Sequence, residues 1–227
     1  IRDMNRSRGL GDVYKRQTQC SALINVLGED HKLQAQQVGL TLEELGERRP
    51  EVMFYSFIKL PEGKMSTRRG NVVFMDDLLE EAHAHAVEVL RERRPDLGSE
   101  AMDAIAEAVG TSAVRFNIVS VSPEKGFTFR WEDALSFEAG SAPFIMYSHT
   151  RACSIRRRVL EHDDGFSKPF SAEAQHDVEP PPGLVQLLRT LAVHDDRLAK
   201  VVREHRPNLF AEYLLNLATA YNSFYRD

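Results

Sequence analysis

Ten residues, 62–71, read EGKMSTRRGN. They place the Lys64 ammonium, the Arg68 and Arg69 guanidinium groups, the Ser66 and Thr67 hydroxyls and the glycines Gly63 and Gly70 together in a chain of net charge −5. Cations and hydroxyl donors held in one loop suit a phosphorus centre, because they stabilise charge on its oxygens as that charge develops. The spacing departs from G-x-x-x-x-G-K-[ST], so the loop is not a P-loop. Charged surface loops are also common, and these residues alone leave that reading open.

A second group, Gly28-Glu29-Asp30-His31, lies about one βαβ unit upstream. Glycine lets a ligand approach the backbone, and a carboxylate can accept ribose hydroxyls or bind a cationic group. A plain turn is the alternative. His83 and His85 do not share a helix face, so they are not expected to pair on a metal, and no metal site is expected elsewhere.

Elements must position these groups. Ala22–Leu27 reads as a short buried strand, residues 32–47 as a helix with Leu33, Val38, Leu42 and Leu45 apolar, and 52–60 as a second strand. Strand, helix and strand at this spacing imply a parallel pair, and ligands of such sheets bind beyond the carboxyl ends of the strands. Both groups fall there. Downstream, Asp76 or Asp77 is expected to cap a helix carrying Leu78, Leu79, Ala82, Ala86, Val89 and Leu90. Ser99 is expected to cap another, with Met102, Ile105 and Val109 in one stripe. Residues 127–131 read as a last strand, with Trp131 in the core. A long helical region follows to about 162, in which Pro143 either kinks the helix or starts a new one. A polar, proline-bearing linker spans 163–183, and two helices run over about 183–205 and 207–226.

At 42% hydrophobic the chain can bury a core, and no run approaches the ~18 apolar residues of a membrane span. Two cysteines without a C-x-x-C fit reduced thiols in a cytoplasmic protein. The acidic balance excludes a generally basic nucleic-acid coat, so any RNA contact must come from local patches. Arg151, Arg156, Arg157 and Arg158 form the best such patch. Tyr147, one turn before Arg151, could stack on a base for roughly 1–3 kcal/mol; a solvated basic helix end is the alternative. Residues 1–17 hold five basic and two acidic side chains without periodicity; they read as a non-native tail, with a natural basic arm as the alternative, and are set aside.

KMSTR at 64–68 resembles the K-M-S-K-S signature of class I aminoacyl-tRNA synthetases, and GEDH at 28–31 their G-x-D-Q motif, with His31 where glutamine is usual. The stretch from AVGTSAVRF to SIRRR (108–158) and NLFAEYLLNLATAYNSFYRD (208–227) closely resemble arginyl-tRNA synthetases of archaeal type. The resemblance covers about 18–227. It implies an α/β piece, the later half of a Rossmann-like parallel-sheet catalytic domain (18–76), a stem-contact connector (77–134) and an all-α anticodon-binding bundle (135–227). It implies activation of L-arginine by ATP, with Mg2+ carried on the nucleotide, and transfer to tRNA(Arg). Lys64, Ser66, Thr67 and Arg68 would be catalytic; Gly28, Asp30, His31 and Met65 would bind ATP, and Asp30 and Gln34 arginine. Tyr147, Arg151, Arg156, Arg157 and Arg158 would contact tRNA. The full-length enzyme would be a monomer.

No histidine fits the H-x-G-H element of the class, so the chain is expected to be the middle-to-late part of a longer enzyme and inactive in adenylation by itself. The apolar stripe Leu214, Leu217 or Ala218, Tyr221, and Phe224 or Tyr225 is expected to lie uncovered. Two rival readings are a cysteine-type class I synthetase, which four zinc ligands would favour, and a non-catalytic tRNA-binding module.

Overall fold

A computed structural model describes residues 22–59, 74–136, 140–162 and 179–227. They form two compact units. One holds the described residues through Lys59 together with Ser122–Thr128; the other holds the remaining described residues.

In the first unit, strand β1 (Ile24–Gly28) runs into a single 3-10 turn at Glu29–His31 and then helix α1 (Lys32–Glu44). Strand β2 (Glu51–Tyr55) returns parallel to β1, with Ile24 opposite Glu51 and Gly28 opposite Tyr55. The expected parallel βαβ unit is therefore present. Its first strand includes Gly28 and starts two residues later than expected. The second expected strand, 52–60, breaks at Ser56 and Phe57. The Ser56 N–H turns aside to donate to the Pro123 carbonyl at 2.7 Å. A two-residue β3 (Ile58–Lys59) then pairs parallel with β4 (Phe127–Thr128). The strand expected at 127–131 stops at Thr128. Gly126 is required there by space: a Cβ would sit 2.9 Å from the Phe57 carbonyl oxygen.

The second unit is helical. Helices α2 (Met75–Arg93) and α3 (Ser99–Val119) pack along faces of small residues, with Ala82, Ala86 and Ala106 fully buried. Gly110 allows the approach, because a Cβ on it would lie 2.8 Å from the backbone of Ala82. Two cap expectations are corrected. Phe74 occupies the cap of α2, leaving Asp76 and Asp77 in the first turn, where negative charge still opposes the helix dipole favourably. Gly98 caps α3, and Ser99 is already helical.

Trp131 opens a short helix α4 (Trp131–Ala134). Its indole N–H donates to Glu81 at 2.8 Å and its ring meets Phe129 edge-on at 4.8 Å, but it is half-buried, which corrects its expected place in the core; Phe129 beside it is the buried ring. The long helical region is interrupted. Helix α5 (Ala142–His162) starts afresh with Pro143 as its second residue, a position where the missing N–H costs nothing. The single helix expected over 183–205 is two, α6 (Pro182–Ala192) and α7 (His194–Glu204), hinged at Val193. Helix α8 (Pro207–Phe224) follows and packs on α5, α6 and α7. Those contacts bury Ala218 and half-bury Leu214, Leu217, Tyr221 and Phe224. The expectation of an uncovered stripe is thus corrected for these residues, while Tyr225 at its end stays 50% exposed.

Candidate functional site

The strand-end turn is built by crowding. Gly28 has ordinary extended angles, φ −61° and ψ 149°. A Cβ on it would lie 2.5 Å from the Asp30 Oδ1 atom, so the absent side chain makes room for the Asp30 carboxylate to fold back over the strand end. Asp30 Oδ2 lies 3.8 Å from His31 Nε2, and both side chains are more than half exposed. Gln34 is exposed on the first turn of α1. Gly28, Asp30, His31 and Gln34 are therefore brought together at the carboxyl end of β1, where ligands of parallel sheets bind.

Glu29 was legible in the sequence only as a member of the strand-end group, and Ser56 not at all. The Ser56 hydroxyl donates to Glu29 Oε1 at 3.0 Å, tying the turn after β1 to the break after β2. The two residues are 27 apart in sequence, and nothing local signals the bond. Lys64, Met65, Ser66, Thr67 and Arg68 lie outside the described residues.

A second cluster lies between α5 and α8. The Arg151 guanidinium carbon stands 4.7 Å from the Tyr147 ring centre and 4.4 Å from that of Tyr225. It donates to the Tyr147 hydroxyl at 3.1 Å and to Asn222 Oδ1 at 2.9 Å. Asn222 in turn donates to the Ser148 hydroxyl at 2.6 Å and the Ala218 carbonyl at 2.9 Å. Tyr147 and Tyr225 keep about half their surface open, 52% and 50%. Burial pushes the neighbouring Tyr221 hydroxyl above its ordinary pKa, against the lowering pull of Arg151.

Two aromatic faces bracketing a guanidinium make a platform on which a planar base can stack. Arg151 is committed to this frame rather than extended into solvent. Arg156, Arg157 and Arg158 are exposed farther along α5, with Arg157 donating to the Ser154 hydroxyl at 3.3 Å. Asn222 and Tyr225 were missed because the contacts that give them meaning span 71 residues and more. Among the described residues, no His, Cys, Asp and Glu cluster has metal-binding geometry, and no described helix is long and apolar enough to cross a membrane.

Comparison with known proteins matches two family models in tandem. Residues 23–131 match the catalytic domain of class I (R) tRNA synthetases, and 145–227 the DALR anticodon binding domain. The arginine–tRNA ligases of Methanocella arvoryzae and Methanothermobacter thermautotrophicus are each 45% identical over 208 and 210 residues, about nine-tenths of this chain. The chain spans 35% of the length of each. Among solved structures, the Thermus thermophilus arginyl-tRNA synthetase superposes with a TM-score of 0.75 at 28% identity, covering 91% of this chain and 33% of that one. A Plasmodium falciparum arginyl-tRNA synthetase shares the fold, with a TM-score of 0.69 at 17% identity over 95% of this chain and 36% of that one.

Proposed function

Because the chain belongs to the arginyl-tRNA synthetase family, we propose that the protein containing it joins arginine to tRNA(Arg) through an arginyl-adenylate. The observation that carries this reading is the tandem match, a class I (R) catalytic segment followed by an anticodon-binding segment, with 45% identity to arginine–tRNA ligases.

The chemistry needs positioning and charge stabilisation more than covalent catalysis. ATP, carrying Mg2+, supplies the reactive phosphorus. Lys64 holds the β- and γ-phosphates while the arginine carboxylate attacks the α-phosphorus, the α–β phosphoanhydride bond breaks and pyrophosphate leaves, and Arg68 adds positive charge. Ser66 and Thr67 shape the loop, and Met65 packs near the adenine. Gly28, Asp30 and His31 lie by the adenosine. Asp30 and Gln34 are the candidates for the cationic arginine side chain. The Glu29–Ser56 bond supports this reading because it holds the turn that carries them. Tyr147 and Arg151 present a stacking surface to RNA, and Arg156, Arg157 and Arg158 supply phosphate contacts. The division into catalytic (18–76), connector (77–134) and anticodon-binding (135–227) parts follows, in a monomeric, cytoplasmic enzyme.

The test is arginine-dependent ATP–pyrophosphate exchange and charging of a tRNA(Arg) transcript by the longer protein that contains this segment. Exchange and charging with arginine alone among the amino acids are expected. Charging with cysteine, or tRNA binding without charging, would replace the reading with one of its rivals.

A further inference from the structure

Helices α6, α7 and α8 enclose a cleft of about 630 Å³ on a different face of α8 from Asn222 and Tyr225. Buried Tyr213 lies at its base. Arg189 and Thr190 reach it from α6, Arg197 from α7, and Glu212 and Asn216 from α8. Gln186, Arg189 and Thr190 follow helical spacing, so one face of α6 borders the cleft, continued by Val193 at the break.

The charges in this cleft are unsatisfied. Among the described residues, neither Arg189 nor Arg197 has an ion-pair or hydrogen-bond partner, and the Asn216 amide has none either. Glu212 lines the same cleft, yet neither guanidinium comes within 4.0 Å of its carboxylate. Two cations facing one concavity repel each other, and an anion entering between them relieves that repulsion while gaining forked hydrogen bonds. The hydroxyl and amide groups around them can both donate and accept, which suits ribose and base edges better than a simple carboxylate.

We infer that the α6–α7–α8 cleft is a second RNA subsite, in which Arg189 and Arg197 grip the phosphodiester backbone of a strand whose sugar or base edge meets Thr190 and Asn216. The inference rests on the RNA reading of this helical unit. It places contacts where no motif points, apart from the Tyr147–Arg151 surface.

The experiment measures binding of a tRNA(Arg) transcript to the 227-residue chain over a salt series, for the unaltered chain and for Arg189→Ala, Arg197→Ala, both together, and Arg203→Ala as an exposed control on α7. Each cleft substitution should weaken binding about tenfold, the loss of one charge-assisted contact. The double variant should lower the magnitude of the log K against log salt slope by about 1.4, two single-strand phosphates at about 0.7 each. Arg203→Ala should leave both quantities unchanged, and Arg189→Lys with Arg197→Lys should restore the slope but not all of the affinity, since lysine keeps the charge and loses the fork. All these side chains are exposed, and unchanged circular dichroism establishes that the variants fold. An unaltered slope in the double variant, or an equal loss in Arg203→Ala, overturns the subsite. If Arg156→Ser, Arg157→Ser and Arg158→Ser together reduce binding while the cleft variants do not, the cleft fails and the RNA reading stands. No binding by the unaltered chain overturns both. Competition by polyglutamate as effective as by RNA of equal charge would reassign the cleft to an acidic polypeptide.

Discussion

Arg151 on α5 and Asn222 on α8 are joined by a hydrogen bond of 2.9 Å across 71 residues of sequence. The same Asn222 reaches the buried Ser148–Ala218 seam, so one side chain fixes both the guanidinium and the helix pair.

Asn222→Ala should therefore cost more than its size suggests. It leaves Ser148 and Arg151 short of partners, and each such loss is worth about 1–3 kcal/mol. Urea unfolding of the chain should show a drop in that range, and Arg151 should reorient. An unchanged midpoint would mean that the bond adds nothing to the α5–α8 contact.

Gly110→Ala should destabilise the helical unit by about 1–3 kcal/mol, because the new methyl meets backbone, which cannot swing aside as a side chain would. Gly98→Ala is the comparison, since nothing lies near a Cβ there. Equal midpoints for the two variants would contradict the close α2–α3 approach.

Gly28→Ala should push the Asp30 carboxylate from its place over the strand end. In the longer enzyme the expected outcome is a higher KM for ATP, for arginine, or for both, with folding stability little changed. Ser56→Ala should act in the same direction by freeing Glu29. Wild-type kinetics in both variants would remove the turn from the proposed site.

Lys64→Ala in the longer enzyme should slow single-turnover adenylation far more than it weakens arginine binding, because the ammonium is assigned to charge that grows in the transition state. A single-turnover rate equal to wild type would end that assignment.

Asp96 offers a clean titration. Arg94 donates to both its carboxylate oxygens, at 2.9 and 2.8 Å, and holds its pKa down at about 2 against an ordinary 3.8. A carboxyl whose folded pKa is depressed stabilises the fold above its unfolded value and loses that contribution as pH falls through the folded one. The contribution should thus fade between about pH 4 and pH 2. Carboxyl NMR shifts should give the low midpoint, and Arg94→Ala should raise it toward the ordinary value, with the backbone hydrogen bond at Asp96 still holding part of the lowering. A midpoint unmoved by Arg94→Ala would show that the pair does not form in solution.

Local chemistry made much of this protein legible in its sequence. Short apolar runs on either side of a helical segment were enough for the parallel βαβ unit, because composition and spacing reflect backbone geometry. Gly28-Glu29-Asp30-His31 could be placed at a strand end, and the family could be recognised, from short contiguous motifs. Element ends were less legible. The strand expected to reach residue 60 breaks because Ser56 finds the Pro123 carbonyl, and the helix expected over 183–205 breaks at Val193. Neither break has a glycine or an internal proline to announce it. The partnerships of Glu29 with Ser56, of Arg151 with Asn222 and Tyr225, and of Arg189 with Arg197 around one cleft were decided only by the tertiary structure. Which side chains meet across distant helices depends on how the helices cross and on small residues such as Gly110 that set their separation. Sequence periodicity records a face, but not the face it meets.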